Sequence, residues 1–546
     1  MAGVSNESAR GRWIKLGLAL FALNLAVSFR NLWPTPAIWW RGDISVEVAI
    51  VLLWLALASR RLGSPSSRVI RLSAVIWVIL ALGRYADVTA RALYGREVNL
   101  YWDARHLPAV WSMLVRPAAW WLVLLIAGAA VLIPWFLYAG LHAAFCHVGT
   151  AMGRPASRRT IIAMASGVLL LFSVQRIGGV ATPPAFSSPA TAAYARQARL
   201  FFHELTAARR RTVAPPSTLR ADLARLRGAP PGGPPQAADV FLVFIESYGA
   251  VSYDRPEFAA GLAASRAALA ADIRATGRDV VSAFVESPTF GGSSWLAHVS
   301  LLSGVEVRDE DTNRLLMAGK RETLVSTFAR NGYRTVAMMP GLHQSWPEGA
   351  FYGFNELYDE ARLDYQGPPF GWWSVPDQFA LARLDALEAS RPSRPPLFVF
   401  YPTTNTHTPF TPTPPYQPDW RRVLTEAPYD EAVLQRAWEQ TPDWLDLGPG
   451  FVRALAYTYQ SLGGYLRLRA DRDFVLVLVG DHQPPAAVSG EGASWEVPVH
   501  VITSRKDILE SLQGRGFTLG LFPRHPALGR MNALLNTLLG AFSWSK

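Results

Sequence analysis

The chain has 546 residues, 50% of them hydrophobic and 17% charged, with a net charge of +11. Its 42 Gly, 40 Pro and half-apolar composition exclude a wholly disordered chain, a coiled coil and a collagen, and a single cysteine excludes a disulfide scaffold or multi-cysteine zinc module. Residues 1–239 carry 26 Lys+Arg against 9 Asp+Glu, a balance of +17, whereas residues 240–546 carry 27 against 33, a balance of −6. The basic excess belongs to one half only, so a nucleic-acid role is disfavoured.

Five apolar stretches crowd into the first 180 residues: 16–29, 48–59, 72–83, 117–141 and 160–175. A membrane-crossing helix needs about 20 residues, so only 117–141, with 25 residues and no charge, is decisive alone. The others gain weight from clustering, and from Lys15, Glu47, Arg71 and Arg84 near their ends, where side chains can snorkel. Eleven of the 20 tryptophans precede residue 140, as an aromatic belt requires. Spans are expected at about 13–33, 44–60, 68–84, 117–141 and 158–178. Four further spans argue against reading the first as a signal peptide. The loops on the N-terminal side hold ten basic residues and the opposite loops seven. The excess places the N-terminus inside and residues beyond 180 outside the cytoplasm of a multi-pass cell-membrane protein.

Residues 181–238 read as a juxtamembrane connector. They hold an amphipathic helix over 192–209, the basic run Arg209, Arg210, Arg211, and the break APPGGPP at 229–235. A basic run is ordinarily a solvated face; beside a membrane it also attracts anionic head groups. From residue 239 strands and helices alternate, which predicts a sheet covered by helices. Strands are expected at VFLVFI (240–245), DVVSAFVE (279–286), RTVAMM (334–339), PLFVFYP (396–402), FVLVLVG (474–480) and EVPVHVIT (496–503), with helices at 256–277, 323–333, 450–469 and 526–542. The Pro-rich stretch 409–418 reads as a surface loop.

Polar residues directly follow two of the apolar strands: Glu246 after the first, Asp481 and His482 after FVLVLVG. Ligands bind outside the carboxyl ends of parallel strands, and two carboxylates with an imidazole suit a divalent cation. Singly, each is equally read as a helix cap or a turn residue. The segment SPTFGGSSWLAHVSLLSG (287–304) supplies a nucleophile. Gly291 and Gly292 permit a tight turn, after which Ser293 or Ser294 opens a helix whose free N–H groups suit an alkoxide or phosphoryl group. An N-cap serine is the bland alternative.

These residues carry a resemblance. FIESYG (244–249), GGSSWLAH (291–298), MMPGLHQSWPEGAFYGFNELYDE (338–360), TNTHTPF (404–410) and VGDHQPP (479–485) together resemble the alkaline-phosphatase/sulfatase superfamily, in its lipoteichoic acid synthase-like branch of membrane phosphoglycerol transferases. The resemblance covers about residues 238–540 and extends to the five-helix anchor. The fold it implies is α/β: a five-helix N-terminal membrane anchor (1–180), the connector, and an extracytoplasmic alkaline-phosphatase-like α/β sandwich domain (239–546). It implies one divalent metal, Mn²⁺ first and Mg²⁺, Zn²⁺ or Ca²⁺ as alternatives, on Glu246, the serine, Asp481 and His482. A spacing of ten residues to Gly304 favours Ser294 as the nucleophile; the first hydroxyl after the glycines would be Ser293. The family more often has Thr there. His407 resembles the substrate-side histidine, and Trp346 with His343 the substrate-pocket segment. Trp295 and His298 join them as substrate-binding candidates, His298 standing four residues past Ser294 on the same helical face.

The sulfatase subgroup oxidises a Cys or Ser in a C/S-x-P/A-x-R context, and Ser294-Trp295-Leu296-Ala297-His298 lacks the arginine. An unmodified serine favours a phospho-enzyme, and the resemblance implies transfer of a phosphoglycerol-type or related phospho head group from a membrane lipid donor to a glycan or polymer acceptor through that phospho-serine. The alternatives are a sulfatase-like or phosphodiesterase hydrolase, separated by product analysis, and a non-catalytic membrane binding protein, separated by failure to bind a divalent ion.

Overall fold

The structure, a computed structural model, describes residues 9–32, 35–95, 97, 100, 104, 120–177, 185–207, 219, 221–228, 237–343, 346–371 and 374–544. It divides into two compact units, Met1–Leu93 with Glu97–Ala207, and Tyr94–Arg96 with Ala208–Lys546. The basic run 209–211 and the break 229–235 lie outside the described residues.

The first unit is helical: α1 (Ala9–Ser28), α2 (Val46–Leu62), α3 (Ser67–Tyr94), α4 (Trp120–Met152), α5 (Pro155–Ile177) and α6 (Ala190–Ala207). A helix stands at each of the five apolar stretches. Among the described residues three helices, α3, α4 and α5, are long and apolar enough to cross a membrane. Along α4, Trp120, Leu124, Leu125, Val131 and Phe136 are exposed, an apolar surface that water would not support. The unit's core gathers Leu23, Leu55, Trp77 and Phe145; Trp77 donates its indole N–H to the Leu23 carbonyl at 2.9 Å and meets Phe145 edge-on.

Glu47 and Arg84 do not reach outward as snorkelling predicts; both are buried. Glu47 accepts from Ser45 Oγ (2.7 Å) and from the Thr191 backbone N–H (3.1 Å), and Arg84 donates to the Phe29 carbonyl (3.0 Å) and to Ser188 Oγ (2.7 Å). Local hydroxyl and backbone partners make the inward orientation tolerable, since a buried charge is stable only when so satisfied.

The second unit is built on one eight-stranded sheet. Its strands are β1 (Asp239–Ile245), β2 (Asp279–Glu286), β3 (Arg334–Met338), β4 (Glu356–Tyr358), β5 (Leu397–Pro402), β6 (Phe474–Gly480), β7 (Glu496–Thr503) and β8 (Thr518–Leu519), in the spatial order β8-β2-β7-β6-β1-β5-β3-β4. The run β6-β1-β5-β3-β4 is parallel; β7 is antiparallel to both β6 and β2, and β8 is antiparallel to β2. The sheet is thus mixed.

Both faces are covered. Val240, Leu242 and Phe244 of β1 join one core with α8 (Ser294–Ser303), α9 (Leu324–Arg330), α12 (Lys506–Gln513) and α13 (Met531–Phe542). Phe241, Val243 and Ile245 join the opposite core with α7 (Pro256–Ala275), α10 (Asp377–Leu384) and α11 (Gly448–Leu468). Two buried faces explain why β1 and β6 read as continuous apolar runs instead of alternating ones. The Pro-rich stretch 409–418 forms no helix or strand, as expected of a loop, but it is not a surface feature. Phe410 is 1% exposed and packs edge-on against Phe451, so the apolar side chain carries the loop inward.

Candidate metal and nucleophile centre

Register sets the centre. Ile245 of β1 pairs with Gly480 of β6, so the next residues, Glu246 and Asp481, leave the sheet side by side at the carboxyl ends of two neighbouring parallel strands. The turns after these strands pack with no room to spare. A Cβ on Gly480 would stand 1.8 Å from the Tyr248 carbonyl oxygen. The third element arrives through a tight turn. Gly291 (φ +66°), Gly292 (φ +144°) and Ser293 (φ +60°) all take positive φ, and α8 begins at Ser294. Ser293 occupies the N-cap position without a side-chain capping bond.

Ser294 is the serine whose Oγ meets the strand-end residues. It donates to Glu246 Oε2 at 2.7 Å and lies 3.1 Å from His482 Nε2. His482 Nε2 is also 3.4 Å from Glu246 Oε1 and 3.8 Å from Asp481 Oδ1. One ligand atom from each of Glu246, Asp481 and His482 falls within 4.8 Å of the others, and all three residues are buried. Backbone groups hold the set in place. Asp481 Oδ1 accepts the N–H of Ser247 (2.8 Å) and of His482 (2.6 Å), and the Glu246 N–H donates to Thr403 Oγ1 at 3.1 Å.

The protons of the centre can be assigned. His482 Nδ1 lies 2.7 Å from the Gln483 carbonyl, which only accepts, so Nδ1 carries the hydrogen and Nε2 offers its lone pair. Burial holds the imidazole below its ordinary pKa, hence neutral. Burial, and then the neighbouring Glu246, push the Asp481 carboxyl well up. Burial acts to raise Glu246 too, but the imidazoles of His482 and His407, with hydrogen bonds from Asp481 and Ser294, outweigh it and bring Glu246 down to about 2. The result is a Glu246 carboxylate and a His482 lone pair converging on the Ser294 hydroxyl, with the Asp481 carboxyl beside them. Acceptors outnumber protons, and a divalent cation fits that deficit: oxygen and imidazole donors suit Mn²⁺, Zn²⁺ or Mg²⁺ alike.

The other expected residues are dispersed around this centre. His407 ends the loop after β5, the other neighbour of β1, and acts electrostatically on Glu246 and His482; its Nδ1 lies 2.7 Å from the Thr408 carbonyl. His298 stands one turn beyond Ser294 between the rings of Phe244 and Phe400 (centroids 4.6 and 5.4 Å), with a buried Nε2 that has no hydrogen-bond partner. Burial draws it down to about 3, so it is a neutral, core-facing imidazole. Trp295 is exposed at 36%. Trp346 stacks on Tyr352, and His343 pairs with Glu360; both lie in the segment between β3 and α10. Sequence reasoning missed Thr403 and Gln483, whose polar groups orient Glu246 and His482. Gln483 stands inside VGDHQPP and Thr403 immediately before TNTHTPF, motifs singled out for a neighbouring histidine, which was the available signal.

Residues 307–501 match the family model described as Sulfatase, which gives this part of the chain the enzyme fold of that superfamily, one of transferases and hydrolases. No curated protein matches the chain by sequence. Among solved structures, the chain is similar to the integral membrane lipooligosaccharide phosphoethanolamine transferase EptA of Neisseria meningitidis. The identity is 14%, over 96% of this chain and 95% of that one, with a TM-score of 0.44. It is similar to the lipoteichoic acid synthase LtaP of Listeria monocytogenes at 13% identity, over 62% and 80%, TM-score 0.37. It is similar also to the phosphoglycerol transferase GacH of Streptococcus pyogenes, solved with sn-glycerol-1-phosphate, at 12% identity, over 56% and 75%, TM-score 0.34.

Proposed function

We propose that this chain is a membrane-anchored, metal-dependent phosphotransferase. It moves a phosphoglycerol-type or related phospho head group from a membrane lipid to a glycan or polymer hydroxyl, through a phosphodiester on Ser294. The observation that carries the reading is the placement of Ser294 Oγ between Glu246 and the Nε2 lone pair of His482. Glu246, Asp481, His482 and Ser294 would hold one divalent ion, which when bound lowers the hydroxyl's pKa and polarises phosphoryl oxygens.

Ser294 Oγ passes its proton to Glu246 Oε2, to which it already donates, and attacks phosphorus; the bond to the diacylglycerol oxygen breaks, and protonated His407 delivers its proton to that oxygen. An acceptor hydroxyl then attacks the phospho-serine and gives up its proton to the same imidazole, and the Ser294 oxygen leaves, taking its proton back from Glu246. The N–H groups opening α8 and the buried walls of β1 and β6 favour the anionic phosphoryl group and exclude water. With the N-terminus inside, five crossings put residues 181–546 outside the cytoplasm, and so would three.

Purified full-length protein given Mn²⁺ and labelled phosphatidylglycerol is expected to trap label on Ser294. Absence of labelled serine, with unchanged turnover in Ser294→Ala, refutes the mechanism. The Sulfatase match supports a second reading, hydrolysis of a phosphate or sulfate ester with water as acceptor. His298 stands where the oxidised-serine context has arginine, which speaks against the sulfatase form. An acceptor-linked product separates transfer from hydrolysis.

A further inference from the structure

Asp377 is the first residue of α10, 1% exposed, and it has no part in the chemistry above. Its hydrogen-bond partners are all neutral. Oδ1 accepts the backbone N–H of Thr404 at 2.8 Å and of Asn405 at 3.4 Å, together with the hydroxyls of Tyr401 (3.3 Å) and Thr404 (3.4 Å). Oδ2 accepts from Thr458 Oγ1 at 3.3 Å. The Asp377 N–H in turn donates to Asn405 Oδ1 at 2.6 Å. A buried carboxylate without a cation is expensive, and burial pushes this one up to about 6. Packing alone would be served as well by a neutral residue.

Four of these bonds, all those to Thr404 and Asn405, fall on one short loop, and the other two tie Asp377 to β5 and α11. Residues 403–407 leave β5 and end on His407. On one side the loop is fastened to β1, where the Thr403 N–H donates to the Phe244 carbonyl at 2.8 Å and Thr403 Oγ1 accepts from Glu246. On the other side it is fastened to Asp377. Between them the His407 N–H closes a turn onto the Thr404 carbonyl at 3.1 Å. We infer that Asp377 is a positioning residue that fixes His407 relative to the Ser294 centre by holding the Thr404–Asn405 backbone. The inference rests on the catalytic reading of that centre.

The test compares Asp377→Ala and Asp377→Asn in the full-length protein, with labelled phosphatidylglycerol in vesicles and Mn²⁺ as probes. Asp377→Ala is expected to keep its Mn²⁺ Kd within about two-fold while turnover falls by about a hundred-fold, the scale of a misplaced catalytic group. Asp377→Asn keeps an acceptor for the two N–H groups and is expected to recover most of that loss. In Asp377→Ala/His407→Ala turnover is expected to be no lower than in His407→Ala alone, because one loss contains the other. Additive losses, or Asp377→Ala turnover within about two-fold of wild type, overturn the inference. Hydrogen exchange gives a readout independent of turnover. Asp377→Ala is expected to speed exchange across 403–408 and leave 246–248 and 481–483 unchanged. If wild type turns over no lipid, the catalytic reading fails, and unaltered exchange at 403–408 then sinks the positioning inference separately; if Asp377→Ala does not fold, Asp377→Ser, whose hydroxyl is too short to reach both N–H groups, takes its place with the same expected turnover and exchange and the same overturning results.

Discussion

Cation binding should expel one proton from the Glu246, Asp481 and His482 set, the Ser294 hydroxyl keeping its own until substrate is bound. His482 Nδ1–H is committed to the Gln483 carbonyl, and its Nε2 is already free, so it contributes none. Glu246, drawn down to about 2, contributes none above pH 4 or so. Asp481, raised by burial and by Glu246, contributes one. Affinity is then expected to rise about tenfold per pH unit, or ~1.4 kcal/mol, for as long as the pH lies below the raised Asp481 value. Titration calorimetry with Mn²⁺ in two buffers of different ionisation enthalpy measures the proton directly. Asp481→Asn should bind more weakly and release none. An affinity that is flat from pH 6 to 8, with no proton released by wild type, refutes the assignment of protons.

Ser294→Ala is expected to abolish the labelled intermediate. Ser293→Gly, which relieves a side chain held at φ +60°, should keep activity and gain roughly 1 kcal/mol in thermal melts; the opposite pattern would move the nucleophile to Ser293. Gly480→Ala forces a methyl to within 1.8 Å of the Tyr248 carbonyl, so a stability loss at the upper end of about 1–3 kcal/mol is expected, together with weaker Mn²⁺ binding. Unchanged melting would show that the β1 and β6 turns are slack. His525 sits between Asp254 (2.8 Å) and Glu496, which raise its pKa above 6.5 although burial opposes them. Its stabilisation is therefore full below the unfolded value and lost as pH rises through the folded one. With His525 half exposed the effect should stay within about 1 kcal/mol, and His525→Asn should flatten the stability difference between pH 5.5 and 8.5.

The central strands were legible because both of their faces are buried, which leaves charge-free runs of six residues in β1 after Asp239 and of seven in β6. The sheet's margins were not. β4 has three residues and β8 two, too short for any periodicity to register. The direction of β7 was equally hidden, since EVPVHVIT has the same composition whichever way it runs; chain connectivity turns it over. The centre could be read because Glu246 and Asp481 stand at abrupt ends of apolar runs. Asp377 offers no such signal. It follows a proline in mid-segment, and its partners are mostly backbone N–H groups and hydroxyls that no spacing in the sequence announces.

The pairing of Ile245 with Gly480 joins strands that lie at opposite ends of the second unit's sequence. No short fragment contains both carboxylates, and an unfolded chain holds them far apart. A cation at this centre would therefore be bound by the folded sheet and by nothing less. Its free energy of binding would add in full to the stability of the whole unit, rising as RT ln(1 + [L]/Kd). The same linkage makes cation uptake a gauge of how much of a preparation has its central strand pair formed.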